Sequence, residues 1–221
     1  LLLQFIDEQK GLSHNAFLKF AFQLPVPRKA LKSEEWGWRY YPLSVEAAYA
    51  KKSEFSLKWQ FDITYSSTCP CSAALAKQVV ESEFINDFAH REVLKSSEVQ
   101  QWLSEKALMA TPHAQRSVAH IQLQMDTDSL LPSYIEIIDR VESALQTAVQ
   151  TAVKREDEQE FARLNAANFM FCEDACRRIK NSLNNETRIK DFKIEVVHQE
   201  SLHPHNAVSL AVKGVADGFI V

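Results

Sequence analysis

The residues best equipped for chemistry are two thiols and a handful of imidazoles and carboxylates downstream of them. Cys69 and Cys71 flank Pro70 in the stretch Tyr65-Ser66-Ser67-Thr68-Cys69-Pro70-Cys71-Ser72. A thiol at the mouth of a sheet beside a helix N-terminus suits metal binding or attack on carbon. Cys-x-Cys is not the common zinc spacing, and two partly buried structural thiols are the better account of this pair taken alone. The question is whether further ligands exist.

Several candidates do. His113 follows Pro112 in a loop just before a strand, so the two loops could share one end of a sheet; taken alone, an ordinary loop histidine is the better reading. His203-Pro204-His205 places two imidazoles in a turn, where one could bind a metal and the other act as acid or base, and surface histidines in a hairpin loop are equally consistent. The run Glu156-Asp157-Glu158-Gln159-Glu160 mostly complements a helix dipole or faces solvent. Glu173 sits at the margin of an apolar stripe made by Cys172, Ala175, Cys176, Ile179 and Leu183, where a carboxylate can read paired N–H groups or form a rim ion pair with Arg177. His14, His90, His120 and His198 have no neighbours that suggest a site, and structural or surface roles suit them better.

The elements that must position these groups follow from periodicity. Phe55, Leu57, Trp59, Phe61, Ile63 and Tyr65 alternate with polar residues as a half-buried strand does, and Pro70 ends it. Before it, Ala16 to Leu24 reads as a strand stopped by Pro25-Val26-Pro27, Tyr41 to Tyr49 as another, and Lys51-Lys52-Ser53 as a turn. After it, Ser72 caps a helix carrying Ala76, Val80, Phe84 and Phe88, with a second short helix at Ser97–Leu103. A strand then holds Ala119, Ile121, Leu123 and Met125. Pro132-Ser133 opens an amphipathic helix with Tyr134, Ile137, Ile138, Val141 and Leu145 on one side. A polar connector over residues 150–158 leads to one or two helical turns through Phe161 and Leu164, then a helix from Phe169 to Leu183. Strands at Phe192–His198 and Val208–Val212 close the chain. Runs of strands and helices indicate an α+β fold with an antiparallel sheet, one face covered by two helices, and exposed edges that favour an oligomer.

Bulk properties narrow the classes. A chain of 221 residues can bury a proper core, and a net charge of −4 leaves no basic surplus for nucleic acid. Four cysteines in this length are no disulfide scaffold, which points to the cytoplasm, and no apolar run is long enough to span a membrane. Leu1-Leu2-Leu3-Gln4-Phe5-Ile6-Asp7 lacks the basic flank of a signal peptide and reads as the tail of a helix that starts before it. The four glycines are scattered, so a nucleotide would have to be gripped by side chains rather than a glycine loop.

Ser67-Thr68-Cys69-Pro70-Cys71-Ser72, Pro112-His113-Ala114-Gln115-Arg116-Ser117, Lys154-Arg155-Glu156-Asp157-Glu158, Phe171-Cys172-Glu173-Asp174 and Glu200-Ser201-Leu202-His203-Pro204-His205 occur in the order seen in the type IB GTP cyclohydrolases. Over essentially its whole length the chain resembles that family. The resemblance implies a tunnelling fold: four-stranded antiparallel sheets with two helices on one face, two such units per chain, assembled into an oligomeric barrel, a homotetramer. Residues 1–52 would be the back half of a first unit and 53–221 a second unit with a helical insertion at about 72–110. It implies a divalent metal (Zn²⁺, Mn²⁺ or Fe²⁺) held by Cys69, His113, Glu158 and His203, with Glu156 the alternative to Glu158. Glu173 would anchor guanine, Arg116, Lys154 and Arg155 would grip the triphosphate, and His205 would shuttle protons. The implied reaction opens GTP at guanine C8 with metal-activated water, releasing formate and 7,8-dihydroneopterin triphosphate on the way to folate and queuosine. Two alternatives stay open: another pterin enzyme of the same fold, and a non-catalytic purine- or pterin-binding metal module.

Overall fold

The computed structural model describes residues 1–9, 11–50 and 53–221, the side chains of Ser53 and Glu54 aside. The expected turn at Lys51-Lys52 lies outside the described residues. In chain order the elements are α1 (Leu2–Glu8), β1 (Asn15–Lys29), β2 (Trp36–Ala50), β3 (Ser53–Thr68), α2 (Pro70–Phe88), α3 (Ser96–Lys106), β4 (Ala114–Met125), α4 (Tyr134–Leu145), α5 (Arg155–Ala167), α6 (Cys172–Asn184), β5 (Ile189–His198) and β6 (Ala207–Val212).

All six strands join one antiparallel sheet in the order β1-β2-β3-β4-β5-β6. The expectation of a four-stranded sheet is corrected here. Leu43 to Ala48 of β2 pair with Ser56 to Phe61 of β3, so the first hairpin continues the sheet instead of ending at its border. Two helices do cover one face. Ile137, Ile138, Val141 and Leu145 of α4 and Ala175, Cys176, Ile179 and Leu183 of α6 are buried. Beneath them lie Trp59, Phe61, Ile63 and Tyr65 of β3, Ala119, Ile121 and Leu123 of β4, and Phe192, Ile194 and Val196 of β5. The period-two strands and the 3.6-residue helices thus meet on one apolar layer, as burial of both faces requires. On β3 and β4 the other sheet face is largely polar, with His120 Nδ1 2.8 Å from Asp62 Oδ1.

β1 runs through Pro25 and Pro27 instead of stopping there, pairing them with Tyr40 and Trp38. An edge strand tolerates proline because an N–H turned away from its neighbour has no ladder partner to lose. Towards its start β2 diverges from β3, and residues 147–149 take its place. Ser66 and Val149 donate backbone N–H groups to Thr147 and Thr64, at 2.9 and 3.2 Å. Gly37 is what lets this segment in. A Cβ there would collide with the Thr151 hydroxyl and lie 2.9 Å from its Cβ and 3.1 Å from the backbone nitrogen of Ala152. Arg39 and Tyr41 then tie β2 to α4 by donating to Glu142 at 2.7 and 2.6 Å; burial and that carboxylate push the tyrosine up to about 12.

α2 and α3 share a small core of their own. Phe84 packs on both Phe88 and Trp102, and the Trp102 indole N–H donates to Asp87 at 2.6 Å. α2 buries no residue fully, so this helical excursion touches the sheet chiefly through its first turn.

Candidate metal centre and purine pocket

The end of the sheet where β3 stops and β4 begins gathers most of the candidate groups. Thr68 pairs with Ala114, and one step further the Cys69 N–H donates to the His113 carbonyl at 3.2 Å. Residues directly opposite on antiparallel strands project to the same face, and this backbone pairing sets Cys69 and His113 side by side at the strand end. Alternation from buried Tyr65 and Ser67 puts that face on the helix side of the sheet. Pro70 stands in the first turn of α2 with Cys69 as the N-cap, so the thiol is fixed by the strand behind it and the helix ahead. Ser72 does not cap α2 as the sequence suggested. Its hydroxyl accepts the His113 N–H at 3.1 Å and holds the second loop against the first.

α6 brings Glu173 to the same end. The Met170 N–H donates to the Thr68 carbonyl at 3.2 Å, anchoring the lead-in of α6 beside Cys69. Glu173 lies in the first helical turn and is exposed. Arg177 does not pair with it; that guanidinium binds Asp174 at 2.5 Å. Among the described residues, the one side-chain hydrogen bond of Glu173 is a weak acceptance from the Cys172 thiol at 3.3 Å. Burial and the neighbouring carboxylate push that thiol up to about 12, so Cys172 stays protonated and packs as an apolar group.

His198 ends β5 on the same buried face, only 2% exposed, with its Nε2 2.9 Å from the Tyr65 hydroxyl. Burial lowers its pKa to about 4 against an opposing pull from Glu173, so it is neutral at physiological pH. Beside it, the hydroxyls of Ser67 and Ser117 hydrogen-bond at 2.8 Å. The sequence assigned His198 no site, yet its alternation with Ile194 and Val196 already marked it as facing the core.

Past β5, Glu200 reaches back towards His113. Gln115 stands between them, its Oε1 3.0 Å from His113 Nδ1 and its Nε2 3.2 Å from Glu200 Oε1. Neither Gln115 nor Glu200 had a role in the sequence reading. The loop from 199 to 206 carries His203 and His205, whose exposed rings stack with centroids 5.3 Å apart.

The remaining candidates lie elsewhere. Arg116 pairs across the sheet with Ser66 and by alternation faces away from Cys69. Lys154, Arg155, Glu156 and Glu158 cluster at the start of α5, all exposed. Lys154 pairs with Glu35 at 2.6 Å. Buried Asp157 accepts from the Lys32 and Ser33 N–H groups, the Ser33 hydroxyl and the Lys154 N–H, at 2.6 to 2.9 Å. Burial alone would raise this carboxyl, but those donors hold it far below the usual range. The acidic run therefore contains a structural clamp that pins α5 to the β1–β2 loop. Among the described residues, no three of His, Cys, Asp and Glu come close enough together within one chain to hold a metal.

The family model described as type I GTP cyclohydrolase folE2 matches residues 1–209. The chain is 44% identical over 216 residues to a protein named GTP cyclohydrolase FolE2 from Pseudoalteromonas translucida, covering 97% of this chain and 70% of that one. It is 46% identical over 221 residues to the protein of that name from Pseudoalteromonas atlantica, covering 98% and 70%. Among solved structures it is similar to uricase from Arthrobacter globiformis, at 8% identity and a TM-score of 0.44 over 97% of this chain and 70% of that one.

Proposed function

The chain belongs to the type I GTP cyclohydrolase FolE2 family, and from that premise we propose how its own residues perform the reaction. It is a GTP cyclohydrolase acting in folate biosynthesis. In this reading GTP is hydrolysed at guanine C8 to formate and 7,8-dihydroneopterin triphosphate, the latter also feeding queuosine synthesis. The observation that carries it is the juxtaposition of Cys69 with His113 beneath the α6 turn that bears Glu173.

Cys69 and His113 supply a thiolate and an imidazole, a donor pair that fits Zn²⁺ and tolerates Mn²⁺ or Fe²⁺. When bound, the ion supplies activation of water at neutral pH, which the weakly electrophilic C8 requires. Glu173, without a cation partner among the described residues, accepts the guanine N1–H and 2-amino group together and turns C8 towards Cys69. His205 would move protons to and from the opening ring, and His203, whose ring stacks on it, would be a further ligand.

Glu158 is the fourth ligand in this scheme, with Lys154 and Arg155 beside it to grip the triphosphate and Arg116 assisting. These groups are not gathered with Cys69 within one chain, so they serve the site of a second copy. That fits a tunnelling-fold assembly, with residues 1–52 as the back half of one unit, residues 53–221 as the next, and a homotetrameric barrel built from them. We place it in the cytoplasm, where GTP is abundant and thiols stay reduced; its four cysteines are free. Among the described residues no helix is long and apolar enough to cross a membrane.

Formate assayed against GTP consumed tests this directly. One formate per GTP is expected. GTP bound and recovered intact would favour the purine-binding module instead.

A further inference from the structure

We propose that Gln115 and Glu200 form a positioning relay that sets the tautomer of His113 and aims its Nε2 at the metal; this rests on the assignment of His113 as a ligand. Glu200 as a carboxylate can only accept, so the Gln115 group 3.2 Å from it must be the NH₂ end. That fixes the amide, and the Gln115 oxygen necessarily faces His113 Nδ1 at 3.0 Å. An amide oxygen also only accepts, so Nδ1 must carry the proton. The Nε2 lone pair is left for a cation.

The relay belongs to the strand frame. Gln115 pairs with Ser67 in the register that places Cys69 opposite His113, so it shares their face. Glu200 extends β5 two residues past His198 on that face, and the Gln199 N–H bonded to the Arg116 carbonyl at 3.2 Å carries the pairing outward. Glu200 Oε2 stands 3.8 Å from Nδ1, too far for a hydrogen bond. The glutamine is therefore the contact and the carboxylate its orienter. Ligating histidines elsewhere are held by such outer partners, whose loss lowers metal affinity ~10–100-fold.

Two measurements test the relay. In metal-free protein, ¹⁵N shifts of the His113 ring should report the Nδ1–H tautomer, moving towards Nε2–H in Gln115→Leu; an Nε2–H ring in the unsubstituted protein overturns the relay. In Zn²⁺ titrations against a chromophoric chelator, Gln115→Leu should bind ~10–100-fold more weakly. The exchanged pair Gln115→Glu with Glu200→Gln keeps an acceptor facing Nδ1 and a donor between the side chains, and should recover most of the loss. Equal affinity in Gln115→Leu, or no recovery in the exchanged pair, overturns the relay while Cys69→Ala still shows the site itself. If Cys69→Ala and the unsubstituted protein take up zinc alike, the metal assignment fails and the relay with it.

Discussion

At the scale of single residues, the proposed site gives each polar group one partner and leaves one valence open. The Cys69 N–H is used by the His113 carbonyl, the His113 N–H by the Ser72 hydroxyl, and the His113 Nδ1 by Gln115. The thiol and Nε2 stay available. Cys69→Ala should therefore cut formate release by ~10³-fold or more and release the metal, as loss of a ligand from an open catalytic site does. Glu173→Ala should chiefly raise KM, by roughly 10²-fold, since two charge-assisted hydrogen bonds are lost and each is worth ~1.5–3 kcal/mol. Steady-state kinetics beside metal analysis separate the two.

His198 gives a pH signature. Its folded pKa of about 4 lies below the 6.5 of an unfolded histidine, so the unfolded chain binds the extra proton as pH falls. Stability is complete above pH 6.5 and is lost as pH drops towards 4, by about 3 kcal/mol in all. Urea denaturation from pH 7.5 to 4.5 should show that slope, and His198→Asn should flatten it. Cys69, His113 and Glu173 were singled out in the sequence through the family resemblance, since each taken alone also suited a structural role. Gln115 and Glu200 were not, because their meaning depends on a register that puts one strand end between two others.

At the scale of elements, the strand pattern was read correctly and its limits were not. Pro25 and Pro27 look like terminators until β1 proves to be an edge, where a missing N–H costs nothing. The start of α5 read as connector because Arg155 to Glu160 carries no apolar period; its order comes from Asp157 clamping Lys32 and Ser33. The wedge of residues 147–151 between β2 and β3 left a single trace, Gly37. Gly37→Ala should lower stability by ~1–3 kcal/mol through overpacking, visible as a lower denaturation midpoint at unchanged m. Adding Thr151→Gly should return part of it. A neutral Gly37→Ala would mean the wedge yields freely.

At the scale of the whole molecule, half of the proposed site faces outward. Trp36, Trp38 and Tyr40 are 61, 59 and 61% exposed on one face of β2, next to Pro25 and Pro27, and large apolar exposure of this kind suits assembly. If Glu158 completes the site of another subunit, Cys69→Ala and Glu158→Ala proteins, each inactive, should complement each other. Unfolded together and refolded as mixed oligomers, they should regain about a quarter of full activity, as expected for random pairing across two-fold interfaces. Mixtures as dead as their parents would place all ligands in one chain.

The central claim is that Cys69 and His113 hold the ion that prepares water for guanine C8. Formate release from GTP by metal-loaded protein tests it most directly, measured before chelation, after chelation and after zinc is returned, alongside Cys69→Ala. The account predicts formate in stoichiometric yield, lost on chelation, restored with zinc, and absent from Cys69→Ala under every condition. Undiminished formate from the chelated protein or from Cys69→Ala would contradict it.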